Sequence, residues 1–260
     1  MSAAANGPRW LADGPPDAPL AVLAHGLEDS WRTWLPLADV LGQRWRVAAL
    51  DLPWRPGTDY RWRHRPAADA LADAVDGLGA EIDLLVAHSY GANATLHLLC
   101  RDALPARQVA LICPLYRPPG RPVTWALFDR ARAAFERHIH ESLRSRQGER
   151  LARTPDDVLA TMTRKAIDRA GPAGFLAVFE QYVTSAALPL DRVRPPVLVL
   201  GGGDDPTLSP AAAGALARAL PDARLVVDDR YDHFCHLRHP AEVAARLCRF
   251  AARPEFEEVP

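Results

Sequence analysis

The sequence predicts a doubly wound α/β protein with a mostly parallel sheet, interrupted once by a helical insertion. Three observations carry this. Short strand-like runs alternate with helical stretches in the first half and again near the end. The runs are nearly continuous in apolar residues, as strands buried on both faces should be. From about 114 to 190 the alternation stops and only helical patterns remain.

The strands are expected at Leu20–Ala24, 46–50, 82–87 and 108–113, then at 197–200 and 224–228. Between them, 66–79 places Leu71, Val75 and Leu78 on one helical face and Asp69, Asp73 and Asp76 on the other, with Gly79 as a stop. Ser209 followed by Pro210 has the form of an N-cap and a first helical position. Strands alternating with helices imply a parallel sheet covered on both faces. Within the insertion, 125–153 is helical and arginine-rich, Thr154-Pro155-Asp156-Asp157 forms a helix start, and 172–187 carries Phe175, Leu176, Phe179 and Val183 at helical spacing. The domain plan is therefore a core from 1–113 and 191–260, with 114–190 as a helical cap.

Composition narrows the class of function. The chain has 260 residues, 48% hydrophobic, with a formal net charge of -1. That balance describes a soluble globular protein, with no electrostatic case for a nucleic-acid or membrane partner. Cys100, Cys113, Cys235 and Cys248 form no CxxC pair, so their spacing announces no metal site. No cofactor is expected. The first twenty residues lack a cationic start and an apolar core of signal-peptide length, and no apolar run reaches a membrane span. The expected setting is a reducing cytoplasm with free thiols.

The chemistry begins at residues 84–93, LLVAHSYGAN. Ser89 stands between a buried-type strand and a helix, flanked by Ala87, Gly91 and Ala92. Small residues are what a sharp strand–nucleophile–helix turn needs, because bulky side chains would collide as the chain reverses. Such a turn lifts the serine oxygen above the carboxyl edge of the sheet, where N–H groups at the helix start face a developing oxyanion. Alone, A-x-S-x-G fits a serine that merely ends a strand equally well.

A serine hydroxyl needs a base. His233 follows the strand at 224–228 and precedes a helix near Pro240, which places it on the same edge as Ser89. His236 and His239 fit polar loop or helix-cap positions, His97 a helix position, and His138 and His140 the charged face of the insertion. The third member should be an acid that orients the imidazole. Asp205, after the strand at 197–200 and the turn Gly201-Gly202-Gly203, is preferred over its neighbour Asp204 because Gly202-x-x-Asp205-Pro206 leaves the longer turn. Turn aspartates are also common for purely local reasons. Three positions, each just past a strand, in the order Ser89, Asp205, His233 are far more specific than the serine turn alone.

With these residues in place the sequence resembles the α/β-hydrolase superfamily over nearly its whole length. His25-Gly26 looks like that family's oxyanion-loop motif, Asp51-Leu52-Pro53 like its next strand end, and His233 to Pro240 matches its histidine-to-proline spacing. The resemblance implies an oxyanion hole from the backbone N–H groups of Leu27 and Tyr90, and a cap over 114–190. Ala87 stands where glycine is usual, the loop at Trp54-Arg55-Pro56-Gly57-Thr58 is individual, and Asp232 precedes the histidine where glycine is frequent.

The expected reaction is cleavage or transfer of an acyl group from an ester or thioester through Ser89, His233 and Asp205. Trp31, Trp54, Trp125, Phe128 and Phe179 are expected to contact a bulky apolar small-molecule acyl substrate. Trp34, Trp62, Phe135, Phe175 and Tyr182 are further aromatic candidates; many of these side chains would instead pack the cap onto the body. Arg130, Arg132, Arg137, Arg144, Arg146, Arg150 and Arg153 make the first cap helix basic, which fits either a solvated face or a dock for an acyl carrier protein. Competing readings on the same scaffold are a lyase, a carbon–carbon hydrolase or a cyclising acyl transferase, and a non-catalytic ligand receptor.

Overall fold

The computed structural model describes residues 7–147, 153–205 and 208–252. Residues 1–6, Arg150 and Pro206 lie outside them. The seven strands are β1 (Arg9–Ala12), β2 (Leu20–Ala24), β3 (Arg46–Ala49), β4 (Ile82–His88), β5 (Ala106–Ile112), β6 (Val197–Gly202) and β7 (Ala223–Asp228). They form one sheet in the order β1-β3-β2-β4-β5-β6-β7. All neighbours are parallel except β1 with β3. The six parallel strands fall within two residues of the expected runs. The seventh, β1, was not anticipated: it is a four-residue edge strand with exposed or half-buried side chains, so it carries no continuous apolar run.

Every residue of β2 is buried, as are all of β4 but one, which explains their unbroken apolar sequence. Helices cover both faces. On one side lie α2 (Ala67–Asp76), α3 (Tyr90–Leu99) and α6 (Pro210–Ala219), and on the other α1 (Leu35–Leu41) and α8 (Pro240–Ala251). In α2, Leu71 and Val75 face the core as predicted. That helix ends at Asp76 rather than at Gly79, which takes a left-handed φ of 60° three residues later. Ser209 caps α6 as expected, its hydroxyl accepting from the Ala212 N–H at 3.2 Å with Pro210 at the start.

Between β5 and β6 run two long helices, α4 (Trp125–Gln147) and α5 (Asp156–Thr184). The second is broken at Gly171, whose φ of 56° lets the chain kink ahead of Pro172. The helix start at Asp156 and the helical segment after Pro172, read separately in the sequence, are thus two halves of one bent rod. Ile139, Ala166 and Ala170 give α4 and α5 a small apolar cluster of their own. A short helix, α7 (Cys235–Arg238), leads into α8, and α4 packs against it.

One glycine fixes the spacing of two strand ends. A Cβ on Gly202, the last residue of β6, would stand 2.0 Å from the carbonyl oxygen of Tyr231. Backbone cannot yield as a side-chain tip can, so Gly202→Ala must push the 231–233 loop away. Overpacking of this kind costs about 3 kcal/mol, and chemical denaturation of the variant is expected to show a loss of that order.

Candidate active site

The chain turns from β4 into α3 at Ser89, which takes φ 50° and ψ −117°. A left-handed non-glycine residue carries on the order of 1–3 kcal/mol of strain, and here the strained residue is the serine itself. The turn needs Gly91: a Cβ there would meet the His25 carbonyl oxygen at 2.5 Å. Ala87 is fully buried in the strand before the turn, so a methyl group fits where glycine is more usual. Asn93 then ties α3 to the end of β5, giving and accepting 2.7 Å bonds with the backbone of Leu115.

Ser89 Oγ lies 3.0 Å from His233 Nε2, and His233 Nδ1 lies 2.9 Å from Asp205 Oδ2. With Nδ1–H donating to the carboxylate, Nε2 holds the lone pair that accepts the serine proton. The three residues follow β4, β7 and β6, so all stand on the carboxyl edge of the sheet. Asp205 and His233 are buried, at 4% and 3% exposure, while Asp204 is exposed. Burial raises the Asp205 pKa, but the charge of His233, the nearby His138 ring and the His233 hydrogen bond outweigh it and hold the carboxyl well below its ordinary value. Burial pulls His233 down, yet Asp205 more than compensates and its pKa is raised. Asp232 also raises it, while its own carboxylate is held by the Phe234 N–H and Arg238.

The His25-Gly26 loop sits between the ends of β2 and β4, where connections leave the sheet in opposite directions and ligands of such folds gather. His25 is buried and bolted in place: Nδ1–H donates to the Gly26 carbonyl at 2.8 Å and Nε2 accepts from Leu52 N–H at 3.1 Å. Burial lowers its pKa to about 4. Trp54 adds an indole N–H bond of 2.9 Å to the His25 carbonyl. Glu28 has φ 54° and is held by Tyr60 and Arg169. The loop carrying Leu27 packs against the serine turn, where a Cβ on Gly26 would stand 3.3 Å from Ser89 Cβ, and Tyr90, the first residue of α3, has an N–H with no acceptor inside its own helix.

A cavity of about 370 Å³ opens above Ser89 and His233. Its floor includes Gly26, Leu27 and His88, and its roof comes from α4 and α5 through Ala134, Phe135, Phe175 and Phe179. Of the five side chains expected to contact substrate, Phe179 lines this cavity; the other four do not, and that expectation is corrected. Trp54 is 1% exposed and braces the oxyanion loop from within the core. Trp31 lies in a short turn against the opposite core face under Arg32. Trp125 is 82% exposed at the start of α4. Phe128 packs behind the wall against Phe175 and Phe179. Position in the insertion or in loops near the pocket mouth brings these rings near the site but does not fix which side of the wall each occupies.

Two further histidines pack against the His233 ring, and a third packs behind one of them. His138, expected on the charged face of the insertion, stacks on the His233 ring with centroids 4.1 Å apart and planes 26° apart. Its Nε2 stands 3.7 Å from Asp205 Oδ1, and its side chain is only 12% exposed. Burial lowers its pKa to about 4. His88 donates from Nε2 to the His233 carbonyl at 2.8 Å, holding the base from below. His236, expected in a polar loop, is fully buried with its ring 4.3 Å from that of His88.

A strand-flanked serine turn, a histidine and a buried acid on one sheet edge define a hydrolase of the nucleophile-elbow type. The chain belongs to the alpha/beta hydrolase family, whose model matches residues 21–246. It is 29% identical over 257 residues to a pimeloyl-[acyl-carrier protein] methyl ester esterase of Neisseria meningitidis serogroup B, covering 90% of this chain and 93% of that one. It is also 28% identical over 238 residues to the magnesium-chelatase 30 kDa subunit of Rhodobacter capsulatus, covering 83% and 81% of the two. Among solved structures, the enol-lactonase from Burkholderia xenovorans LB400 shares the fold with a TM-score of 0.66 at 24% identity, over 96% of this chain and 99% of that one. No helix among the described residues is long and apolar enough to cross a membrane. The four cysteines are free thiols.

Proposed function

We propose that the chain is a serine esterase that hydrolyses an acyl ester held in the cavity above Ser89. The observation that carries this reading is the hydrogen-bonded line Ser89–His233–Asp205, with bonds of 3.0 and 2.9 Å, opening on a largely apolar pocket. His233 takes the Ser89 proton as Oγ attacks the ester carbonyl carbon. The N–H groups of Leu27 and Tyr90 receive the oxyanion. His233 returns the proton to the departing alkoxide, leaving an acyl-enzyme. Water, deprotonated by the same imidazole, then attacks the acyl carbon, and the acid leaves as Ser89 recovers its proton. Asp205 stabilises the imidazolium at each stage.

The two long helices act as the cap that selects the acyl group. Phe135, Phe175 and Phe179 suit a linear or bulky apolar chain, with Arg130 and Arg137 on the same wall. An acyl chain presented on an acidic carrier protein fits that basic helix, and it matches what the Neisseria relative is named for. The test is turnover of a methyl-ester series, free and carrier-linked, against the matching thioesters. Faster hydrolysis of carrier-linked methyl esters, with a rate that falls as salt rises, is the expected result. Equal rates for free and carrier-linked esters would remove the carrier from the account.

His138 is assigned as a positioning residue. It covers one face of the His233 ring and approaches the second oxygen of Asp205, so the cap helix completes the packing of the base. His138→Ala is expected to lower kcat by about tenfold with little change in KM, the effect of roughly 1.4 kcal/mol on the barrier. His138→Phe, which keeps a ring in the stack, should recover part of that. Steady-state kinetics on the two variants checks both statements.

A further inference from the structure

At the cavity floor the core holds polar atoms for which the esterase reading has no use. Asp29, from the loop after β2, His88, the last residue of β4, and His236, in α7, are all buried. One ligand atom from each lies within 4.8 Å of the others. Asp29 Oδ2, His88 Nδ1 and both ring nitrogens of His236 make no hydrogen bond to any described residue. An unsatisfied buried polar atom costs about 1–3 kcal/mol, so several of them on three neighbouring side chains call for a ligand.

We propose that Asp29, His88 and His236 form a binding site for one divalent transition-metal ion, of which zinc fits the donor set best. Two imidazoles and a carboxylate are ordinary zinc ligands. Donor atoms up to 4.8 Å apart close to the tetrahedral spacing of roughly 3.4 Å through side-chain shifts of about 1 Å. The outer hydrogen bonds that orient metal ligands are already made. His88 Nε2–H is committed to the His233 carbonyl at 2.8 Å, which leaves Nδ1 with its lone pair to give. Asp29 Oδ1 accepts the Ser30 N–H at 2.9 Å, leaving Oδ2 for the ion. Trp34 packs 4.6 Å from the His236 ring and holds it in place. Asp29 and His88 also line the cavity, so an ion has a way in and a fourth position can take water. Cys113, Asp205 and His233 are a second group of close ligand atoms, but there the Asp205 and His233 side chains are bonded to each other at 2.9 Å.

The sequence does not announce this site because its three ligands come from three separate segments of the chain, none with metal-motif spacing. The test uses tag-free full-length protein dialysed against about 100 µM Zn²⁺ or Co²⁺ and then against metal-free buffer, with metal content measured by mass spectrometry. The expected result is one equivalent per chain, visible Co²⁺ absorption bands, and a Tm that rises with metal and falls back with chelator. Asp29→Asn, nearly isosteric, and His236→Phe, which keeps a ring against Trp34, should both lose the stoichiometric ion, while His233→Ala keeps it. Three results would overturn the proposal: substoichiometric metal in the wild type, which leaves bound water to satisfy these atoms; full retention by a folded Asp29→Asn or His236→Phe; or loss in His233→Ala, which would place the ion on the Asp205–His233 pair.

Discussion

Ser89→Ala and His233→Ala are each expected to reduce ester turnover by roughly 10⁴- to 10⁶-fold, with the double variant little worse than either single one. The reason is structural. The serine oxygen is 3.0 Å from the one ring nitrogen placed to accept its proton, and removing either partner ends the same proton transfer. Substrate binding should survive, because the cavity wall is built mainly from α4 and α5. Ser89→Ala also removes no large packing group, so its Tm should stay near that of the wild type. Measured kcat for the three variants, with binding of a non-hydrolysable ester analogue, checks both parts.

The second large effect separates two adjacent carboxylates. Asp205→Asn is expected to lower kcat by about 10³- to 10⁴-fold, because an amide cannot stabilise the imidazolium and favours the wrong tautomer of His233. Asp204→Asn should change it by less than about threefold, since an exposed side chain at that position adds little in high-dielectric surroundings. The reverse ranking would place the acid at 204 and undo the 2.9 Å bond as the basis of the mechanism.

Much of this architecture was legible in the sequence. Strands buried on both faces must be apolar at every position, so β2, β4 and β6 announce themselves. An edge strand such as β1, with half its residues exposed, obeys no such constraint. Ser89, Asp205 and His233 could be picked out because each follows a strand, and parallel strands deliver their C-terminal connections to one edge. The preference for Asp205 rested on turn length, and its side chain is the buried one that meets His233.

What stayed hidden depends on contacts between elements rather than within them. His138 shares a helix with many arginines, and only the docking of α4 against α7 turns it inward onto His233. Trp54 lies in a loop expected to reach the substrate, yet its indole N–H bonds to the His25 carbonyl and its ring is buried. Trp125 begins a helix whose apolar face starts later, so its ring points outward. In the sequence His88 is the variable residue of the serine turn and His236 fits a polar loop or helix cap, so neither residue type announces a buried role. Their burial follows from the way β4 and α7 meet beneath the site.

The central claim is that Ser89 is an activated nucleophile, and covalent labelling with a fluorophosphonate tests it most directly. Wild-type protein should gain one phosphonyl group, mapped to the peptide containing Ser89 by mass spectrometry, while Ser89→Ala gains none and His233→Ala reacts far more slowly. A folded wild-type protein that stays unlabelled, or that carries the adduct on another residue, would contradict the account.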